Sequence, residues 1–302
     1  MNPAAEAVQV PVVPAAETRT TTRLADYVTL TKPGITIMVA ITAAVGYYVA
    51  SRGGFDWKIF LHLMGGTLVS SAGAAAINML MERKLDAKMD RTKSRPLAAG
   101  RMAPAEAAAF GAVFCTAGLA WLAVGTNLAT AGLSAATMFS YLVLYTPLKT
   151  RSSVCTLVGA IPGALPPVMG WAAGRGTVDI GAWVLFLILF FWQLPHFLAL
   201  AWMYREDYAR AGFPMLSVEE PTGASAGRQV VLQTLALLVV SLLPFGFQMA
   251  GDGYLVAALV LGVGFLGFGV AFATDRSRPR ASRLFLASIT YLPLLLGALA
   301  LL

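Results

Sequence analysis

The side chains best able to do chemistry here are carboxylates, amides and cations gathered at the ends of apolar segments. The first group is Asn78-Met-Leu-Met-Glu82-Arg-Lys-Leu-Asp86-Ala-Lys-Met-Asp90-Arg91-Thr92. Asn78, Glu82 and Asp86 stand four residues apart, a spacing that puts all three on one face of a helix. An amide and two carboxylates in a row suit Mg²⁺, a hard cation that takes oxygen ligands and leaves room for phosphates and water. The plain alternative is a solvated helix end, with Arg83, Lys84 and Lys88 pairing with the acids. Asn78 favours function, because it follows the small apolar run Ser71-Ala-Gly-Ala-Ala-Ala-Ile77, where an amide needs a specific partner.

Two more groups follow. Tyr145-Thr-Pro-Leu-Lys149-Thr-Arg151 offers a phenol and two cations to an anion, or else an interfacial anchor. Trp192-Gln193-Leu-Pro195-His196-Phe197 precedes Met203-Tyr204-Arg205-Glu206-Asp207-Tyr208-Ala-Arg210. A histidine inside an apolar segment is commonly a hydrogen-bonded packing residue. The nearby Gln193 and the acidic pair raise a functional reading for His196. His62 carries the packing reading, and so do Cys115 and Cys155, which have no ligand spacing.

The elements that must position these groups are membrane helices. Of 302 residues, 58% are hydrophobic and 12% charged, whereas a soluble domain carries about a quarter charged. Apolar runs long enough to cross a bilayer as helices recur at about 33–52, 60–81, 104–124, 127–146, 154–174, 179–202, 229–250, 254–274 and 284–302. None alternates as a barrel strand would. The expected fold is all-α: nine transmembrane helices in one bundle around a central cavity. Residues 1–24, rich in Ala, Pro, Val and Thr at their start, read as a disordered tail rather than a signal peptide, and 25–302 as a single domain. The net charge of +7 reflects topology rather than nucleic acid. Nineteen of the 22 Lys and Arg, Arg19 among them, fall in the N-terminal segment and the even-numbered loops; only Arg52, Lys58 and Arg175 fall elsewhere. The positive-inside rule then makes that face, with the N-terminus, cytoplasmic. Facing acidic clusters with cations between them would bind a pyrophosphate through Mg²⁺, while the bundle holds an apolar tail. A membrane transporter is the rival class. It usually shows inverted repeats and midplane charges, whereas the charges here sit at span ends.

The first motif resembles the NxxxDxxxD signature of the intramembrane aromatic prenyltransferases. Arg91-Thr92-Lys93-Ser94-Arg95-Pro96-Leu97 resembles its usual continuation, and Tyr145 with Lys149 matches the family's YxxxK element. Several stretches resemble the heme-farnesylating branch, the protoheme IX farnesyltransferases (heme O synthases). They are Leu30-Thr31-Lys32-Pro33, Gly159-Ala-Ile-Pro162-Gly-Ala-Leu-Pro166-Pro167, Leu194-Pro195-His196-Phe197 and the segment from Tyr204 through Gly212-Phe-Pro214 to Leu216. The resemblance runs from about residue 25 to the end. It departs at Glu82, where the family usually has Asp. At Met203 quinone-type relatives carry the first acid of a later DxxxD pair, so Met203 argues against them and fits the heme branch. A quinone or chlorophyll-type prenyltransferase, which shares the pyrophosphate site and differs in acceptor, is the alternative enzyme.

What the resemblance implies is farnesyl transfer from farnesyl pyrophosphate to a vinyl group of heme b, with water addition, giving heme o. It implies Mg²⁺ held by Asn78, Glu82, Asp86 and Asp207. Arg91, Arg95, Tyr145, Lys149, Arg151 and Arg205 would contact pyrophosphate, and His196 would meet heme as axial ligand or base. It further implies a bacterial inner membrane and a heme a synthase as a possible neighbour.

Overall fold

A computed structural model describes residues 22–302. The expected tail, apart from residues 22–24, lies outside the described residues, as does Arg19. A short helix, α1 (Arg23–Leu30), starts on Thr22, whose hydroxyl accepts from the Ala25 amide at 3.3 Å. Among the described residues, nine helices are long and apolar enough to cross a membrane. They are α2 (Pro33–Ala50), α3 (Trp57–Asp86), α4 (Pro104–Gly125), α5 (Leu128–Leu148), α6 (Cys155–Arg175), α7 (Ile180–Met203), α10 (Ala224–Gly246), α11 (Asp252–Thr274) and α12 (Arg278–Leu301). Two short helices, α8 (Arg205–Ala211) and α9 (Leu216–Glu219), lie between α7 and α10. The chain is a multi-pass membrane protein, and its spans fall where the apolar runs are.

Three local features shape the site. First, α3 is 30 residues long. At 1.5 Å per residue it measures about 45 Å against a hydrocarbon core of about 30 Å. The expected span ended at 81; the helix runs on to Asp86 and carries the acidic motif with it. Second, α5 passes through a π-helical turn at Ser140–Tyr145. Pro147 has no amide hydrogen, so the ladder shifts, and the Thr146 amide and hydroxyl both donate to the Tyr141 carbonyl. Third, α6 contains Pro162, Pro166 and Pro167.

Helices pack closely because small residues line their seams. α3 lies on α4 and α2 on α6. A Cβ at Gly73 would fall 2.5 Å from the Cys115 amide, and one at Gly46 would fall 2.0 Å from the Pro167 carbonyl oxygen. At the end of the bundle opposite the motif, Arg52 donates to the carbonyls of Met249 and Leu299, tying α2 to α12 and to the α10–α11 turn. Large apolar side chains such as Ile41, Val113, Val124 and Val260 face outward, as lipid contact requires.

A methyl group at Gly170 would lie 1.8 Å from the Ala43 carbonyl oxygen, whereas Gly264 has open space around it. Gly170→Ala should therefore lower stability by about 1–3 kcal/mol, and Gly264→Ala should not. Thermal unfolding of the two purified variants in detergent checks the contrast.

Candidate active site

The motif face of α3 is buried. Asn78 is 1%, Glu82 6% and Asp86 1% exposed. Buried carboxylates require partners, and theirs come from other elements, not from Arg83, Lys84 or Lys88. Lys149, just past the end of α5, donates to Glu82 Oε1 at 2.7 Å. Arg95, in the α3–α4 loop, donates from Nη1 to both oxygens of Asp86 at 2.8 Å. Asn78 donates from Nδ2 to the Thr146 hydroxyl at 2.9 Å, and its Oδ1 accepts from the Lys32 ammonium at 2.5 Å. The sequence reading did not count Lys32 among the site residues. Its backbone sits in the left-handed region (φ 47°) at the start of α2, before Pro33, and this conformation turns the side chain into the bundle. Burial pushes its pKa down to about 8, against the pull of Glu82. Burial also opposes the charge on Lys149, but Tyr145 and Glu82 outweigh it and hold its pKa above the usual lysine value.

The π turn of α5 sets Tyr141 and Tyr145 nearly parallel, 5.9 Å apart. The Tyr145 ring rests on Gly159 of α6, where a Cβ would lie 2.6 Å from the ring. Lys149 stands 5.4 Å from the Tyr145 ring centroid and 5.2 Å from that of Phe213. Arg91 lies over Tyr204 at 4.9 Å and donates to the Tyr208 hydroxyl at 3.4 Å.

These groups form a collar above a cavity of about 340 Å³. The collar carries four cations, Lys32, Arg91, Arg95 and Lys149, against two anions, Glu82 and Asp86. Below it the walls are mainly small and apolar residues, with Ile35 and Val39 of α2, Ala74 of α3, Met138 of α5 and Pro162 of α6. Polar groups recur in the well at Ser70, Ser134, Thr137 and Gln193.

Four expected site residues do not join this wall. Asp207 is held by Arg210, which also donates to Asp90 at 2.5 Å. Instead of a second acidic cluster facing the first, an ion-pair bridge ties α8 to the α3–α4 loop. Arg151 is exposed, and so is Arg205, which lies over the Trp202 ring at 4.8 Å. His196 sits at the α7–α12 seam, stacked with Trp192 (5.2 Å) and Phe285 (4.7 Å), and its Nδ1 bonds the Ser288 hydroxyl at 2.7 Å. Those are the contacts of a packing residue. Among the described residues no three His, Cys, Asp or Glu side chains converge as a metal cage would. Glu82, Asp86 and the Asn78 carbonyl nonetheless match what Mg²⁺ takes from protein when phosphates and water complete its shell.

The model for the UbiA prenyltransferase family matches residues 39–292. A protoheme IX farnesyltransferase of Solibacter usitatus is 46% identical over 285 residues, covering 91% of this chain and 98% of that protein. One of Opitutus terrae is 44% identical over 278 residues, covering 92% and 94%. Among solved structures, a digeranylgeranylglyceryl phosphate synthase superposes with a TM-score of 0.78 at 18% identity, over 92% of this chain and 97% of that one. A UbiA homolog from Archaeoglobus fulgidus bound to GPP and Mg²⁺ gives 0.66 at 16%, over 91% and 100%. At such identities the likeness is one of fold.

Lys149→Met leaves Glu82 buried without its hydrogen-bonded cation and should cost about 3–5 kcal/mol of stability. Adding Glu82→Gln should recover most of it, which thermal unfolding of the single and double variants will read. His196→Ala should cost about 2–4 kcal/mol through lost packing and leave the absorption spectrum of bound heme unchanged. A shifted Soret band would restore the ligand reading.

Proposed function

The chain belongs to the UbiA prenyltransferase family, and on that premise we propose that it transfers the farnesyl group of farnesyl pyrophosphate to a vinyl group of heme b, with addition of water, to give heme o. The acceptor follows from the protoheme IX farnesyltransferases that match over nine-tenths of the chain. The observation that carries the chemistry is the collar, a surplus of two positive charges set over an apolar well.

Pyrophosphate oxygens meet Lys32, Arg91, Arg95 and Lys149, with the Tyr145 and Tyr208 hydroxyls at the rim, and the farnesyl chain lies in the well. Glu82, Asp86 and Asn78 would hold Mg²⁺, which supplies further positive charge against the leaving pyrophosphate. Asp207 would reach it only by exchanging Arg210 for the metal. Lys32, Arg95 and Lys149 are already held by amide and carboxylate partners and Arg91 by two tyrosines, so little reorganisation accompanies the break of the carbon–oxygen bond. Such preorganised groups are typically worth about 3–4 kcal/mol of barrier each. The aromatic rings of Tyr141 and Tyr145 face the region where the allylic cation forms, as a cation favours. The buried face of Asn78, Glu82 and Asp86, with Lys149 closed over it, limits the access of bulk water to that cation.

In this reading residues 25–302 act as one catalytic domain in the inner membrane of a bacterium, with the collar on the cytoplasmic side, where a positive excess belongs. A heme a synthase would be the next user of the product.

Asp86→Asn removes one carboxylate and loosens Arg95. Heme o formation should fall by at least about a hundredfold, with unchanged insertion into membranes. The check is mass analysis of hemes from cells expressing either form. Heme o from the wild type and none from the variant is the expected result; an unchanged heme pool from the wild type refutes the acceptor, and wild-type yield from the variant refutes the site.

A further inference from the structure

One turn below the collar, the wall of the cavity changes character. Gln193 of α7 is 4% exposed and lines the cavity. Its Nε2 donates to the carbonyls of Leu189 at 2.9 Å and Ala160 at 3.3 Å. Both partners are acceptors, so the amide nitrogen must face them and Oε1 must face the other way. Oε1 lies against Gly163, where a Cβ would fall 1.9 Å from it. Among the described residues, no protein donor reaches Oε1.

The neighbouring backbone has the same bias. Pro162, Pro166 and Pro167 have no amide hydrogens, so the carbonyls of Val158, Pro162 and Gly163 lose their helical donors. Pro162 and Gly163 line the cavity. This patch therefore offers acceptors without donors, in an apolar well. It suits a molecule that brings O–H groups, or a developing positive charge.

Its depth locates it on the reaction path. Tyr145 rests on Gly159 and Gln193 on Gly163. Four residues of helix rise about 6 Å, so Oε1 lies about that far below the Tyr145 ring, where the first carbons of a prenyl chain would sit if its pyrophosphate were in the collar.

We propose that Gln193 is a catalytic residue that holds the water added during the reaction. The inference rests on the heme farnesyltransferase reading above. The carbon–oxygen bond of farnesyl pyrophosphate breaks, and its electron pair leaves with pyrophosphate. The π pair of the heme vinyl group then forms the new carbon–carbon bond and leaves a cation on the vinyl carbon next to the ring. Water donates one hydrogen to Gln193 Oε1, which aims an oxygen lone pair at that carbon. The carbon–oxygen bond forms, and the released proton passes to pyrophosphate. Without the held water, the cation loses a proton from the adjacent CH₂ to pyrophosphate and becomes an alkene.

Gln193→Met keeps the volume and removes the acceptor. Gly163→Ala leaves Gln193 in place and drives its amide from its seat. Gln193→Glu, buried and protonated, restores a carbonyl acceptor. Each full-length enzyme is purified in detergent and given heme b and farnesyl pyrophosphate, and the farnesylated hemes are weighed. For either of the first two variants, the expected major product is a farnesylated heme lighter than heme o by one water, with the hydroxylated product returning in Gln193→Glu. Wild-type proportions of hydroxylated product from either Gln193→Met or Gly163→Ala overturn the proposal. So does complete loss of farnesylated heme from a folded Gln193→Met variant, because the residue would then act before the water step. Absence of any farnesylated heme from the wild type instead refutes the underlying reaction.

Discussion

Two carboxylates one helical turn apart are buried at the end of α3, and much of the motif end of the bundle is arranged to compensate them. Glu82 and Asp86 each take a cation from a different loop, Lys149 from beyond α5 and Arg95 from the α3–α4 connection. Each pairing fixes a loop onto the helix. Removing one partner would leave a charge in a place where water cannot replace it, which is far costlier than losing a surface pair. Lys32 adds a third loop through Asn78. The site is thus where three connections are pinned together, and its cations exceed its anions because Lys32 and Arg91 are held by an amide and by tyrosines rather than by carboxylates.

Around that point the helices are shaped by what their backbones lack. Glycines in α2, α3 and α6 let neighbouring helices approach until backbone touches backbone. Prolines in α5 and α6 remove amide hydrogens and so rotate the π turn of α5 and free carbonyls in α6. The cavity is not a packing failure. It is bounded by elements whose irregularities are specified residue by residue, and it lies below the charged collar.

The nine spans were legible in the sequence because each needs only a long apolar run. The three-residue face of α3 was legible because helical periodicity alone brings Asn78, Glu82 and Asp86 together. Lys149 and Tyr145 were legible as a motif, though not the π turn that aims them. The remaining residues depended on packing and on partners, some of them far along the chain. Lys32 acts 46 residues away from Asn78, through a left-handed backbone that Lys-Pro does not announce. Asp207 stands where a second acidic cluster was expected, but Arg210 takes it up and joins it to Asp90. His196 lies on the same helix as Gln193, yet α12 claims one and the cavity the other. Which face of an apolar helix meets which neighbour is decided by packing, and hydropathy carries no record of it.

The length of α3 has a consequence for the membrane the protein inhabits. Standing upright, this helix would exceed the hydrocarbon of an ordinary bilayer by about 15 Å, and the two carboxylates ride on its last turns. Their height above the lipid tails is therefore a difference between a fixed helix and a variable solvent layer. A thicker bilayer would draw the carboxylates toward hydrocarbon, or force α3 to tilt less. A thinner one would lift them and the loops pinned to them into water. The carboxylate cluster is in this sense gauged to lipid thickness, and membrane composition becomes a physical parameter of its surroundings.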